Sequence, residues 1–337
     1  MVGVRSGAGA ALDLSPSVLD IDAAAVAHHV ATTLRDQVFH RLRRRGVVVG
    51  LSGGLDSSVV AGLAARALGS ERVVGLLMPE RESSSDSARL AGEVAAAFSI
   101  ATVVEDITGV LEAAGCYRRR DAAIRCVLPD YGEGHRSKIV LPDLIGRPGY
   151  AIYSIVIQTP AGEEIRGRLP LDAYLEIVAA TNFKQRVRTM TEYYHADRLR
   201  YAVAGTANRL EHDLGFFVKQ GDGAADLKPI AHLYKSQVYQ LAEYLGVPDA
   251  IRRRPPTTDT YSLDQSQEEF FFGLSLRQTD LLLYARDHGL PPEAAADTVG
   301  LPLEQTTRAY GVVESKRNAA RYLLMPPLMI EHEETGQ

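Results

Sequence analysis

Cysteine is scarce in this sequence, which has only Cys116 and Cys126 among its 337 residues. Two cysteines at this spacing form neither a disulfide framework nor a Cys-x-x-Cys metal or redox pair. Reduced thiols are therefore expected, and with them a cytoplasmic location.

Long apolar runs are also absent. No run approaches the roughly 18 residues needed to cross a bilayer, and residues 1–14 lack the continuous apolar core of a signal peptide. No membrane partner is expected. The hydrophobic content of 46% suffices for a sizeable core. We predict one domain over residues 21–330, preceded by a loose segment at 1–20 and followed by a tail at 331–337.

The sequence has no basic excess, since its formal net charge is -5. Basic clusters occur at residues 41–45, 118–120 and 252–254, but acidic residues elsewhere balance them. Binding to a nucleic-acid backbone normally requires a clear basic surplus. No nucleic-acid partner is expected.

What the sequence does contain is a run of valines that leads into a glycine turn, Val47-Val48-Val49-Gly50-Leu51-Ser52-Gly53-Gly54-Leu55-Asp56-Ser57-Ser58. β-Branched residues favour a buried strand, the glycines allow a tight turn, and good helix formers follow. The free amides at a helix start favour an anion. The hydroxyl groups can donate to phosphate oxygens, and Asp56 can hold a divalent metal.

The glycine spacing excludes two common phosphate motifs, because it matches neither G-x-G-x-x-G nor a Walker loop. An ordinary strand-turn-helix corner is the plain alternative. The segment Ser52-Gly53-Gly54-Leu55-Asp56-Ser57 resembles the pyrophosphate loop of the N-type ATP pyrophosphatases, which cleave ATP to AMP and pyrophosphate. The resemblance implies an adenine nucleotide alpha-hydrolase-like, Rossmann-like fold.

The following residues alternate as a doubly wound, mostly parallel α/β sheet requires. Residues 73–78 are predicted as a second strand, 85–98 as a helix and 102–104 as a third strand. Right-handed crossovers are the default connection between such strands. Ligands of these folds bind at the carboxyl edge of the sheet.

Residues 116–171 interrupt this alternation with many prolines and glycines. The runs at 150–159 and 164–169, joined by Pro160-Ala161-Gly162-Glu163, predict an inserted β-hairpin. We expect no regular helix in this insertion. A lid or an assembly element is favoured over a disordered linker.

A helix predicted over residues 171–194 carries Asn182, Arg186 and Thr189 on one face, with Arg188 turned well away. Arginine suits a carboxylate or a phosphate, although a solvated helix face explains these charges equally well. A strand at 201–204 brings Thr206 and Glu211 to the edge that holds the first loop. Asp56 and Glu211 are thus predicted to chelate Mg²⁺ against the ATP phosphates.

Six further motifs narrow the resemblance to NAD synthases of the stand-alone, ammonia-dependent kind. They are the Asn-x-Lys-x-Arg-x-Arg helix, Gly-Thr-x-Asn-x-x-Glu, Gly-Phe-Phe-x-Lys-x-Gly-Asp-Gly-x-x-Asp, Tyr-Lys-Ser-Gln, Pro255-Pro256-Thr257-Thr258-Asp259 and Lys316-Arg317. Together with the first loop, they extend the resemblance over residues 45–330 in the family's order. The resemblance implies a homodimer.

The resemblance also implies roles for single positions. The ATP contacts would be Gly50, Leu51, Ser52, Gly53, Gly54, Leu55, Asp56, Ser57, Thr206, Lys235 and Thr257. The catalytic groups would be Asp56, Glu211 and Lys235, with Asp56 and Glu211 as the metal ligands. Deamido-NAD would contact Arg186, Lys219, Asp226, Ser315 and Lys316. Each of these side chains also has an ordinary structural explanation, such as capping a helix or facing solvent.

The chemistry implied is attack of a substrate carboxylate on the α-phosphorus of ATP, followed by transfer of the acyl group to ammonia. A glutaminase role for either cysteine is not expected. The nitrogen would come from free ammonia or from a separate ammonia donor. No base that deprotonates ammonium is identifiable.

Three alternatives remain at this point. The insertion and Ser315, which stands where many relatives carry histidine, allow an amide ligase that acts on another carboxylic acid. A non-catalytic nucleotide-binding module is disfavoured by the presence of Asp56, Glu211 and Lys235. A tRNA-modifying thiolase is disfavoured by the acidic balance and by the absence of paired cysteines.

Overall fold

The structure is a computed structural model that describes residues 14–140, 145, 153–256, 260–266 and 274–330. Its strands are β1 (Val47–Gly50), β2 (Val73–Leu77), β3 (Ala101–Val104), β4 (Arg136–Val140), β5 (Ser154–Gln158), β6 (Glu164–Arg168) and β7 (Ala202–Val203).

The helices are α1 (Ala23–Asp36), α2 (Leu55–Leu68), α3 (Ser85–Ala97), α4 (Thr108–Ala113), α5 (Cys116–Arg125), α6 (Leu171–Leu199), α7 (Arg209–Leu214), α8 (Lys235–Leu245), α9 (Asp249–Arg252), α10 (Leu276–Asp287), α11 (Pro292–Val299) and α12 (Leu303–Leu324). A π-helical turn, Gln37–Arg41, extends α1, and short 3₁₀ segments occupy Pro16–Leu19 and Ser70–Arg72.

The central sheet is parallel, with the strand order β3-β2-β1-β7. Side chains of β1 alternate between its faces, so Val47 and Val49 pack with residues of α1, α2 and α8, whereas Val48 packs with residues of α4, α5 and α6. All three valines are fully buried, since helices cover both faces. The prediction of a doubly wound, mostly parallel α/β fold is confirmed.

The inserted segment forms a second, antiparallel sheet with the order β4-β5-β6. The hairpin of β5 and β6 is confirmed, although residues 150–152 of the predicted first strand lie outside the described residues. The expectation that the insertion has no regular helix is wrong, because its first ten residues form α5. Ile124 of α5 packs with Ile155, Ile157 and Ile177, so the second sheet is fastened to α5 and α6.

The last three helices form a separate apolar cluster around Leu283, Ala295 and Ala309. α12 also packs on α7, which follows β7. This layer therefore borders the carboxyl edge of the central sheet. Within the described residues, none of the helices has the length and apolar content that a membrane span needs.

Candidate active site

Residues 51–54 join β1 to α2, so the predicted phosphate loop at 50–57 comprises the end of β1, this turn and the first turn of α2, as the sequence predicts. Gly53 has φ +75°, and a Cβ there would lie 2.6 Å from the carbonyl oxygen of Ser87. Only glycine therefore lets the loop pack against α3. The Ser52 hydroxyl accepts a hydrogen bond from the Gly54 amide at 3.2 Å. The first amides of α2 lack intrahelical acceptors, which suits an anion at this point.

Asp56 and Lys235 form an ion pair at the entrance of α2. Asp56 lies in the first turn of α2, and Lys235 is the first residue of α8. The Lys235 ammonium donates to Asp56 Oδ2, and the lysine is only 1% exposed. Two residues that are far apart in sequence thus meet beside the predicted phosphate loop.

Asn208 and Glu211 join this pair from α7. Asn208 Nδ2 donates to Asp56 Oδ1 at 3.2 Å. Asn208 and Glu211 also form a capping box, in which each side chain accepts from the other's backbone amide at 3.2 Å. The box fixes the start of α7 and holds Glu211 close to Asp56.

Asp280 of α10 anchors the start of α8 and was missed by sequence reasoning. Its carboxylate accepts from the Lys235 amide at 3.2 Å and from the Ser236 amide and hydroxyl at 2.7 and 2.6 Å. It is fully buried. A carboxylate at a helix N-terminus is favourable. No local signal links Asp280 to a helix that begins 45 residues earlier.

The electrostatics of the cluster suit a divalent cation. Burial and the charge of Asp56 raise the pKa of Glu211 to about 8, against the opposing charge of Lys235. Burial acts to lower the pKa of Lys235, but Asp56 and Glu211 outweigh it and raise that pKa above its usual value. The two carboxylates repel each other, and a cation between them would relieve the repulsion.

The donor set fits Mg²⁺ only together with ligand oxygens. Within the described ranges, no group of three or more His, Cys, Asp and Glu side chains is arranged to hold a metal. Magnesium usually takes one or two carboxylates and completes its shell with phosphate oxygens and water. Asp56 and Glu211 beside a phosphate loop match that pattern.

These groups line a cavity of about 690 Å³. The predicted ATP contacts that line it are Gly50, Leu51, Ser52, Gly53, Gly54, Leu55, Asp56, Ser57, Thr206 and Lys235, and the predicted metal ligand Glu211 lines it too. Thr257 lies outside the described residues. The cavity is thus wide enough for a nucleotide and carries the predicted loop along one wall.

The predicted orientation of α6 is wrong at Arg188. Asn182 and Thr189 both line the cavity, but Arg188 lines it with them, while Arg186 does not. α6 is buried on more than one side, with its first half against the second sheet and its later turns against the central sheet. A single polar face could not be deduced from spacing alone for such a helix.

The five predicted acceptor contacts lie outside the lining of this cavity. Arg186 is exposed and donates from Nε and Nη2 to the Lys219 carbonyl, both at 3.4 Å. Lys219 Nζ donates to the carbonyl of Tyr322 on α12 at 2.9 Å. The structure therefore brings Arg186 and Lys219 together at one surface.

The other three acceptor positions have separate contacts. Asp226 accepts from the Val203 amide at 2.8 Å. Lys316 Nζ lies 4.7 Å from the ring centre of Phe216, which lines the cavity. Ser315 is exposed on α12. The deamido-NAD contacts remain predictions.

A buried ion cluster at the cavity border was missed by sequence reasoning. Lys184 Nζ donates to Glu80 Oε1 and Glu82 Oε2, both at 2.8 Å, and is 2% exposed. Arg120 of α5 donates to Glu82 at 2.6 Å, and Tyr117 donates to Glu80 at 2.7 Å. Burial acts to raise the pKa of Glu82, but Arg120 and Lys184 hold it down at about 2.

Glu192 was also missed by sequence reasoning, although it lines the cavity on the same helix as Arg188. In the sequence it resembles any solvated glutamate of a long helix. Its position next to Gly50 depends on tertiary packing and has no local signal.

Comparison with known proteins places these observations in a family. The NAD synthase family model matches residues 26–124 and 163–321. An NH(3)-dependent NAD(+) synthetase of Rhizobium rhizogenes is 55% identical over 94% of this chain and 96% of its own. The protein of the same name from Mesorhizobium japonicum is 56% identical over 93% and 98%.

Solved structures show the same fold at lower identity. An NMN synthetase from Francisella tularensis matches with a TM-score of 0.63 and 22% identity, over 93% of this chain and all of that one. An NH3-dependent NAD synthetase from Campylobacter jejuni matches with a TM-score of 0.61 and 21% identity, over 92% and 100%. From its loop, its polar cluster and its relatives, the chain belongs to the NAD synthase family.

Proposed function

We propose that this protein is an ammonia-dependent NAD synthase, which converts deamido-NAD, ATP and ammonia to NAD, AMP and pyrophosphate. The observation that carries the proposal is the meeting of Asp56, Glu211 and Lys235 beside the phosphate loop. The names of relatives that are 53–56% identical over 93–95% of the chain support the same substrate. No observation favours another carboxylic acid over deamido-NAD.

The loop would bind ATP through the amides and hydroxyl groups at the start of α2. A carboxylate oxygen of deamido-NAD attacks the α-phosphorus, and the bond to pyrophosphate breaks. Lys235 would compensate the negative charge of the departing pyrophosphate. Mg²⁺ held by Asp56 and Glu211 would supply further charge neutralisation at the phosphates.

Ammonia then attacks the carbonyl carbon of the acyl-adenylate, and AMP leaves with the electron pair of the broken bond. No protein side chain becomes a covalent nucleophile in this scheme. Acceleration would come from positioning and charge compensation in the cavity. The ammonia would be free or supplied by a separate protein.

The substrate-binding roles of Arg186, Lys219, Asp226, Ser315 and Lys316 are part of this proposal. They rest on the family motifs, and the contact of Arg186 with Lys219 supports treating these two as one unit. We also propose that the protein acts in the cytoplasm, where its cysteines, both free, would stay reduced.

The test is product analysis with deamido-NAD, ATP, Mg²⁺ and ammonium. We expect NAD, AMP and pyrophosphate in equal amounts, measured by chromatography. Reactions without ammonium, and reactions with another carboxylic acid in place of deamido-NAD, serve as controls. ADP as the product would contradict the proposal, as would cleavage of ATP only with the other acid.

A further inference from the structure

Glu192 occupies a confined position at the foot of the phosphate loop. It lines the 690 Å³ cavity from α6, one turn after Arg188. A Cβ at position 50 would overlap Glu192 Oε1, so the carboxyl lies directly against the backbone at the end of β1. The Glu192 carboxyl can occupy this position because residue 50 is a glycine and has no side chain there.

Within the described residues, burial and two neighbouring charges act on the Glu192 carboxyl, and no hydrogen bond does. The charged groups that act on it are Arg188 from its own helix and Asp222 from the loop after α7. The strand ends beside it contribute Gly50 and Met78, which carry no charge. The side chain is half-buried at the cavity wall, so its carboxyl faces the space that a ligand would fill.

We propose that Glu192 accepts the proton of the incoming ammonium ion and so delivers ammonia to the acyl-adenylate. The inference rests on the proposed function and adds to it the missing base. It also names ammonium as the ligand that the Glu192 carboxyl would contact in the cavity.

The proton balance is simple. Ionised Glu192 removes one proton from ammonium and becomes a neutral carboxylic acid. The nitrogen lone pair forms the carbon-nitrogen bond, and the carbon-oxygen bond to AMP breaks with its electron pair on AMP. The added nitrogen loses a second proton to water, and Glu192 returns its proton to solvent before the next turnover.

The proton affinity of Glu192 suits this task. Burial raises its pKa to about 8, the charge of Asp222 adds to the shift, and Arg188 opposes it. A carboxylate with an ordinary pKa is too weak a base to deprotonate ammonium. A carboxylate whose pKa lies closer to that of ammonium accepts the proton more readily. Glu192 is therefore ionised mainly above about pH 8.

The experiment compares wild-type protein with Glu192→Gln and with Glu176→Gln, a control on the exposed side of the same helix. Deamido-NAD-dependent exchange of pyrophosphate into ATP measures adenylation alone. NAD formation measures the complete reaction with ammonium. Hydroxylamine, largely neutral at neutral pH, replaces ammonium in a third assay that needs no proton acceptor before attack.

We expect Glu192→Gln to keep pyrophosphate exchange and hydroxamate formation within about twofold, while kcat/KM for ammonium at pH 7 falls about tenfold or more. The ratio of wild-type to variant rates should stay constant below about pH 8 and shrink above it, because the ionised fraction of Glu192 then levels off while the concentration of free ammonia continues to rise. Glu192→Asp should retain part of the ammonium-dependent rate. Glu176→Gln should match the wild type in all three assays.

The inference would be overturned if Glu192→Gln lost equal activity with ammonium and with hydroxylamine. It would also be overturned if the ratio of wild-type to variant rates with ammonium did not depend on pH. Loss of exchange in a folded Glu192→Gln protein would place the residue in adenylation and overturn it as well. Wild-type protein that shows no exchange with deamido-NAD would instead refute the proposed function.

Discussion

Both the backbone amide and the side-chain ammonium group of Lys235 are bound by carboxylates, so this residue links α8 to the phosphate loop. Asp280 accepts from its backbone amide at 3.2 Å, and Asp56 accepts from its ammonium group. Its side chain is almost wholly enclosed. A buried charge of this kind depends on its partners, since removing one leaves the other uncompensated.

Replacing Asp56 with Asn should reduce AMP formation by about a hundredfold or more, because the predicted magnesium ligand and the partner of Lys235 are both lost. Circular dichroism should show an intact fold. Asp86→Asn, an exposed residue in the first turn of α3, is the matched control. Full turnover of the Asp56 variant would refute its metal role.

The raised pKa of Glu211 predicts how stability depends on pH without metal. Between its unfolded pKa near 4.5 and its folded pKa of about 8, the folded state holds a proton that the unfolded state has released. The free energy of unfolding must therefore fall as pH rises through this window. Above about pH 8 this contribution is constant.

Glu211→Gln removes that titration. We expect thermal unfolding midpoints of the two proteins to converge near pH 5 and the variant to be more stable by about 3 °C or more at pH 8. Added Mg²⁺ and ATP should stabilise the wild type more than the variant. A variant that follows the wild-type pH curve would contradict this reading of Glu211.

At the scale of elements, the sequence predicts what local chemistry determines. The turn from β1 to α2 follows from valines and glycines that are adjacent in the chain, so it was found correctly. Lys184 and Glu80 are 104 positions apart, and nothing in either local context indicates their contact. Arg188 was misplaced because α6 packs on two sheets and has no single polar face.

The conformation of Gly53 predicts opposite effects for two glycine substitutions. Gly53→Ala should lower the free energy of unfolding by about 1–3 kcal/mol, because the added Cβ meets φ +75° and the Ser87 carbonyl. Gly92→Ala on α3, where a Cβ meets nothing within 4 Å, should raise it by about 0.5–1 kcal/mol.

Denaturant titration of both variants measures this difference, and the KM for ATP should rise only in the Gly53 variant. Two variants that shift stability in the same direction would show that the loop is not constrained as described.

At the scale of the whole molecule, exposed apolar side chains on α6 support the prediction of a homodimer that the family resemblance implies. Leu171 and Leu175 at its start and Met190 and Tyr194 in its later turns are 54–65% exposed. Apolar groups arranged in this way commonly mark an interface. Val104 on the edge strand β3 is 64% exposed.

The double variant Leu175→Glu with Met190→Glu should therefore be a monomer, since charges would be buried at the interface. Light scattering coupled to gel filtration gives the mass directly. Leu328→Glu, at an exposed apolar position near the chain end, should leave the dimer unchanged. A dimeric double variant would place the interface elsewhere.

The ion cluster at the cavity border limits how this protein can change during evolution. Lys184, Glu82 and Arg120 come from α6, the loop after β2 and α5, respectively. Lys184 and Arg120 are buried, and both pair with Glu82, which is 13% exposed. Losing one charge alone leaves another unpaired, so substitutions at these positions should occur jointly. Relatives that carry another residue at position 120 should therefore also differ at position 82 or 184. Such joint substitutions would reveal the contact between α5, which supports the second sheet, and the border of the cavity.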